Sequence, residues 1–346
     1  MSALNIVLET ATLEKILFLG FLGFAFSMAI TPIYTKIAYK YKWWKKPRTN
    51  AVSGEKAVEF QKLHAAKHRR NIPTMAGLIM LIGVALATIP FNLVREQTWL
   101  PMAAMIGAGL IGLLDDVINL RGNGNGTAGL KAKKKLLLIT MVALIGGCWF
   151  FAKNGINYFY FPGVGDITIG LLIVPLFILV VVATANAVNI SDGLDGLAGG
   201  LLASAFGAYS MIAFLQQRYG LAAFCLAIVG SLLAYVWFNI FPARFFMGDV
   251  GSFALGTALG VIAMMTNTLV LLPLIAIVFV AEAGSVIVQN ISKKFRNGKK
   301  IFKISPIHHH FEAIGWPETK VTMRFWVIGQ IAAVIGLLVA IFGGFV

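Results

Sequence analysis

Ten stretches of this chain, each about 17–25 residues long and nearly free of charge, set the terms on which it can fold. They run at about 15–35, 74–94, 98–114, 136–152, 167–185, 197–215, 220–239, 251–266, 268–290 and 325–345. A run of that length crosses a bilayer as a helix, and a helix satisfies its own backbone polar groups where no water can. The expected fold class is therefore an all-α integral membrane protein with about ten transmembrane helices. Composition excludes a soluble globular domain: 58% of residues are hydrophobic and 12% charged. Nothing divides the chain, so residues 1–346 read as a single polytopic membrane domain. Cys148 and Cys225 lie inside apolar runs and read as small buried hydrophobes, with no disulfide framework. The first residues lack a basic stretch and carry Glu9 and Glu14, which argues against a cleaved signal peptide.

With ten spans, both termini share a side. Five loops then fall on the opposite face, at about 36–73, 115–135, 186–196, 240–250 and 291–324. Of the 29 Lys and Arg residues, 25 lie in those loops. The positive-inside rule makes that face cytoplasmic and both termini extracytoplasmic. The net charge of +15 is thus a topological signal, and it implies no nucleic-acid partner.

The acidic residues point to chemistry. Asp115, Asp116, Asp192, Asp195 and Asp249 stand at cytoplasmic ends of apolar runs, and Glu282 lies inside the ninth. Carboxylates gathered there stay ionised when a hard cation or basic groups share the site. Mg²⁺ suits such a set, because it takes one or two carboxylates and fills its remaining positions with water and phosphate oxygens. Zinc does not, since neither Cys nor a spaced His pair accompanies the acids. Asp115 and Asp116 diverge by about 100° on a helix and so serve different tasks.

The segment A-N-A-V-N-I-S-D-G-L-D-G-L sets Asn186, Asn189, Asp192 and Asp195 at every third position, with Gly193 and Gly196 free to unwind the backbone and curl these side chains around a ligand. In N-I-F-P-A-R-F-F-M-G-D-V-G-S, Gly248 and Gly251 flank Asp249 at a helix start suited to an anion, and Phe245 and Phe246 offer a stacking surface. R-R-N-I-P-T-M-A-G brings Arg69 and Arg70 to a phosphate position beside Thr74. Three consecutive histidines, His308, His309 and His310, cannot all face one metal from regular structure, and read as a hydrogen-bonding recognition surface.

Taken together, N-A-x-N-x-x-D-G-x-D-G-L, the D-D pair and F-x-G-D-x-G-S resemble the polyprenyl-phosphate N-acetylhexosamine-1-phosphate transferases. The block S-P-I-H-H-H-F-E…G-W-x-E…R-F-W resembles the narrower branch of phospho-N-acetylmuramoyl-pentapeptide transferases, and the likeness runs from about Pro73 to Trp326. It implies a Mg²⁺-dependent enzyme of the bacterial cytoplasmic membrane, active at the cytoplasmic face. Such an enzyme moves phospho-MurNAc-pentapeptide from UDP-MurNAc-pentapeptide to undecaprenyl phosphate in peptidoglycan synthesis, giving lipid I and UMP. The resemblance also implies a homodimer. It makes Asp249 the metal ligand, and it gives Asp115 and Asp116 catalytic or lipid-phosphate-positioning roles. Asp192, Asp195, Asn239 and Phe246 would line the uridine pocket with the backbone of Gly193 and Leu194, and His308–His310 would face sugar and peptide. The chain departs from the pattern in having Arg69 for lysine, Ala76 within a glycine pair, and Asn119 where a lysine is usual. Arg121 or the cluster Lys131–Lys135 is expected to restore that last cation. Two alternatives compete: a GlcNAc-1-phosphate transferase on the same lipid, and a secondary transporter. Transporters place ionisable groups near the bilayer midplane.

Overall fold

The computed structural model describes residues 3–44, 71–122 and 129–346. Its helices are α1 (Ala3–Lys40), α2 (Gly77–Phe91), α3 (Trp99–Arg121), α4 (Ala132–Asn154), α5 (Ile173–Ser191), α6 (Leu197–Leu215), α7 (Tyr219–Asn239), α8 (Gly248–Met265), α9 (Leu272–Ile275), α10 (Ile277–Phe295), α11 (Ile307–Ala313) and α12 (Glu318–Phe342). Among the described residues, eight helices are long and apolar enough to cross a membrane. The chain is thus a helical, multi-pass membrane protein. Two of the ten expected spans take another form. α2 has only 15 residues, about 22 Å of helix. The ninth run is broken at Ala276, where α9 and α10 meet at an angle of 83°. Pro273 lies in the first turn of α9, just ahead of that break, whereas Pro175 sits harmlessly in the first turn of α5. A small antiparallel hairpin, β1 (Tyr158–Phe161) with β2 (Gly165–Thr168), links α4 and α5; the apolar pattern gave no sign of it.

α8 is the axis of the bundle. Every one of its residues except Asp249 is buried, and it packs against α2, α3, α5 and α6. Small residues at Gly251, Ala254, Gly256, Ala258 and Gly260 let neighbours approach its backbone, as membrane packing requires. Two contacts leave no choice of residue. A Cβ at Gly112 of α3 would run into the carbonyl of Asp249, and one at Gly77 would strike the backbone of Gly251. These crossings set the start of α8 against both α2 and α3. α1 completes the bundle by packing on α2 and α7.

The expected loops are shorter than the apolar runs implied. α5 continues through Asn186 and Asn189 to Ser191, so only 192–196 unwinds. α3 carries Asp115 and Asp116 inside its last two turns and ends at Arg121. Cys225 is buried, while Cys148 is exposed on the outside of the bundle, and neither forms a disulfide.

Candidate active site

The C-terminal ends of α3, α5 and α7 meet the N-terminal ends of α4, α6, α8 and α12 at one end of the bundle, and the expected site residues gather there. At its centre is Lys135, in the first turn of α4. Its Nζ lies 2.9 Å from Asp115 Oδ2 and 2.5 Å from Asp249 Oδ2. Asp115 also accepts the Leu130 N–H at 2.5 Å. Asp116, fully buried, points the other way and accepts the Val250 N–H at 3.1 Å, at the start of α8. The adjacent acids therefore divide their work as their 100° separation requires: one meets a mobile cation, the other anchors a helix start. Gly248 has φ 73, and a side chain there would collide with the Asp116 carboxylate. Glycine is thus needed twice over at that turn.

Asn119 is buried in α3, and among the described residues of the Lys131–Lys135 cluster Lys135 is the one that meets Asp115 and Asp249. Lys133, two residues earlier, is exposed. Ala76 is in ordinary helical conformation (φ −64, ψ −11), so its Cβ carries no backbone strain. Its N–H and that of Gly77 donate to the carbonyls of Phe246 and Met247, at 3.0 and 2.8 Å. Phe246 in turn donates to Pro73 at 2.8 Å, which clamps the 73–77 segment onto the Asp249 turn. Thr74 is buried in that clamp, its carbonyl accepting Tyr34 Oη at 2.6 Å. Of the two phenylalanines, Phe245 is core, packed on Tyr34, Tyr235 and Phe238, and only Phe246 remains partly exposed. Arg69 and Arg70 lie outside the described residues.

The D-G-L-D-G turn is built on its neighbours. Asn189 donates to Ser252 Oγ at 2.9 Å, and Ser252 donates to the Gly248 carbonyl, linking α5 to the Asp249 turn. Asn186 is bonded to the Val182 carbonyl of its own helix. Asp192 caps the end of α5, and Leu194 is buried in the core. Asp195 accepts the Ala243 N–H at 3.0 Å, and its own N–H donates to Glu318 at 2.7 Å. Asn239 accepts the Gly196 N–H and donates to the Phe245 carbonyl, both at 2.9 Å. Asp195 and Asn239 are buried in holding the turn. Ser252 and Glu318 were not singled out by sequence, although Ser252 closes the G-D-V-G-S motif.

The three histidines open α11, and each has a different partner. His308 Nδ1 is 2.8 Å from Glu282 Oε2, His309 Nδ1 is 2.7 Å from Glu312 Oε2, and His310 Nδ1 accepts the Lys303 N–H at 3.1 Å. Glu282 thus pairs inside the bundle. Burial, and the charge of neighbouring His308, push His309 down to about 4, against the opposing pull of Glu312. Among the described residues no three His, Cys, Asp or Glu side chains are placed to hold a metal by themselves. Two carboxylates, Asp115 and Asp249, do address one point, as their shared contact with Lys135 demonstrates. Hard oxygen donors in that number fit Mg²⁺, which recruits its other ligands from water and phosphate.

Residues 98–267, from the start of α3 past the end of α8, match the glycosyl transferase family 4. Over 357 aligned residues the chain is 36% identical to the phospho-N-acetylmuramoyl-pentapeptide-transferase of Chloroflexus aurantiacus, covering 99% of this chain and 94% of the relative. It is 36% identical to the enzyme of that name from a Geobacillus species, over 95% of this chain and 99% of the relative. For the Bacillus mycoides enzyme of the same name the identity is 37%, over 92% and 96%.

Proposed function

The chain belongs to the phospho-N-acetylmuramoyl-pentapeptide-transferase family, and from that premise we propose that it transfers phospho-MurNAc-pentapeptide from its UDP carrier to undecaprenyl phosphate. An oxygen of the lipid phosphate bonds to the phosphorus nearer the sugar, the pyrophosphate bridge breaks, and lipid I and UMP result. The observation that carries this reading is the convergence of Asp115, Asp249 and Lys135 from three spans on one point, at the end of the bundle where the D-G-L-D-G turn meets His308.

Both substrates are anions and the nucleophile is already ionised near neutral pH, so catalysis rests on positioning and charge neutralisation more than on a strong base. Asp249, with Asp115 in reach of the same point, would hold Mg²⁺, which when bound neutralises charge on the pyrophosphate. Lys135 offers its ammonium to a phosphate oxygen once the carboxylates have another partner. Asp116 keeps the Asp249 turn in place through Val250. Asn186, Asn189, Asp192, Phe246, Thr74 and the backbone of Gly193 and Leu194 form the donor-nucleotide side, supported by Asp195 and Asn239. His308–His310 take the sugar and peptide side. The enzyme works at the cytoplasmic face of the bacterial inner membrane, with extracytoplasmic termini, ten membrane passages and a homodimeric assembly.

The test is UMP release by purified protein in detergent, supplied with undecaprenyl phosphate and UDP-MurNAc-pentapeptide. Release should require Mg²⁺ and fall about 10³-fold in Asp249→Ala. Release from UDP-GlcNAc in place of the muramoyl donor, or none from folded protein, would overturn the reading.

A further inference from the structure

α10 is built inside out for a helix in a bilayer. From Glu282 onward its buried residues are Glu282, Ser285, Gln289 and Ser292, while Ile287, Val288, Ile291 and Phe295 are exposed. Polar groups turned inward from lipid must be satisfied by protein, and here most are satisfied by the chain segment leading into the histidines. Gln289 accepts the N–H groups of Ile301 and Phe302 at 3.0 and 3.1 Å and donates to the Phe302 carbonyl at 2.9 Å. Ser292 donates to the Lys299 carbonyl at 2.9 Å. Glu282 completes the stripe by meeting His308 at 2.8 Å, both side chains essentially without solvent contact (0% and 1% exposed).

The other edge of the His308 ring faces the donor turn. Its Nε2 is the first atom that a Cβ on Gly193 would meet. One imidazole is therefore wedged between a carboxylate on the broken ninth span and the backbone of the D-G-L-D-G turn. We propose that Glu282 is a positioning residue of the donor site. Its carboxylate holds the proton of His308 on Nδ1 and so presents Nε2, as an acceptor, to the turn that carries Gly193. Fixing the second nitrogen through the hydrogen bond of the first is how a neighbouring carboxylate orients an imidazole. Other titratable groups nearby are His309, whose ring centroid is 4.0 Å from that of His308, Glu312 bonded to His309, and Asp192 and Asp195 on the turn. The assignment rests on the donor-site reading of Gly193 and His308.

Two measurements on the full-length protein in detergent test it. In kinetics, Glu282→Gln should raise the KM for UDP-MurNAc-pentapeptide about tenfold, the loss expected for a charge-assisted hydrogen bond. The KM for undecaprenyl phosphate should not change. In a His308→Ala background the same substitution should add nothing. Additive effects, or equal shifts in both KM values with a lowered melting temperature, would reduce Glu282 to a fold residue and overturn the proposal. Independently, ¹⁵N-imidazole spectra of histidine-labelled wild-type protein, assigned with His308→Ala, should show His308 protonated at Nδ1 and bare at Nε2. The opposite tautomer would overturn the proposal without any enzymatic turnover. Absence of UMP release from wild type would count against the substrate assignment alone, and the spectra would still decide the Glu282–His308 pair.

Discussion

Two polar clusters sit at the same end of this bundle and are held in opposite ways. Around Lys135, two carboxylates from different spans share one flexible cation, and both Lys135 and Asp249 keep some contact with solvent (side chains 20% and 16% exposed). Around His308, a carboxylate and an imidazole face each other in a sealed site between α10, α11 and the 192–196 turn. The first arrangement can exchange partners, because a long lysine stem can swing and a metal or phosphate can take its place. The second cannot, because a buried charge without its partner is costly. Exchangeable charge belongs where reacting groups enter and leave, and locked charge where geometry must persist between turnovers.

Substitutions at each cluster should reveal that difference. The largest effect is expected at Lys135: Lys135→Met should lower UMP release about 10²-fold, in the range for loss of one charge-stabilising group. Lys135→Arg should recover part of the activity, and Lys133→Met should match wild type. Equal losses at Lys133 and Lys135 in the same assay would mean that general basicity, not the bridge, matters. At the locked cluster, Gly193→Ala drives a methyl into His308, an overpacking worth about 1–3 kcal/mol. The donor KM should rise, with the lipid KM unaffected; a rise in the lipid KM instead would merge the two clusters into one.

The smallest effect concerns pH. His309 has a folded-state value of about 4, below the ordinary histidine value of about 6.5, so the unfolded chain binds the extra proton first. Its contribution to stability is therefore complete above about pH 6.5 and is lost as pH falls toward 4. Melting temperatures recorded across that window should decline on acidification, and His309→Asn should flatten the decline. An unchanged slope would show that His309 is not buried neutral.

Much of this was legible in the chain itself. Long uncharged runs dictate membrane helices whatever their neighbours, because a bilayer offers the backbone no other partner. The D-D, N-x-x-D-G-x-D-G and G-D-V-G motifs advertised their acids because carboxylates at the ends of apolar runs have no packing reason to be there. Less legible were the break at Ala276 and the shortness of α2, since hydropathy counts apolar residues and does not register where a helix turns. The hairpin between α4 and α5 was likewise invisible, because it lies mostly in the connector between two apolar runs, where hydropathy carries no signal of strand pairing.

The sequence by itself determined the material of the site: which acids, which histidines, and that they would collect at one end of a helical bundle. Only the tertiary structure decided their partners. Four lysines crowd residues 131–135, and composition treats them alike. The pitch of α4 against α3 and α8 picks out Lys135, because an ammonium reaches only about 3 Å and one residue earlier points about 100° away. Glu282 and His308 are 26 positions apart, a separation that no local pattern encodes. They meet because the chain breaks at Ala276 and α10 turns its polar face inward, and once buried each is the group that makes the other's burial tolerable.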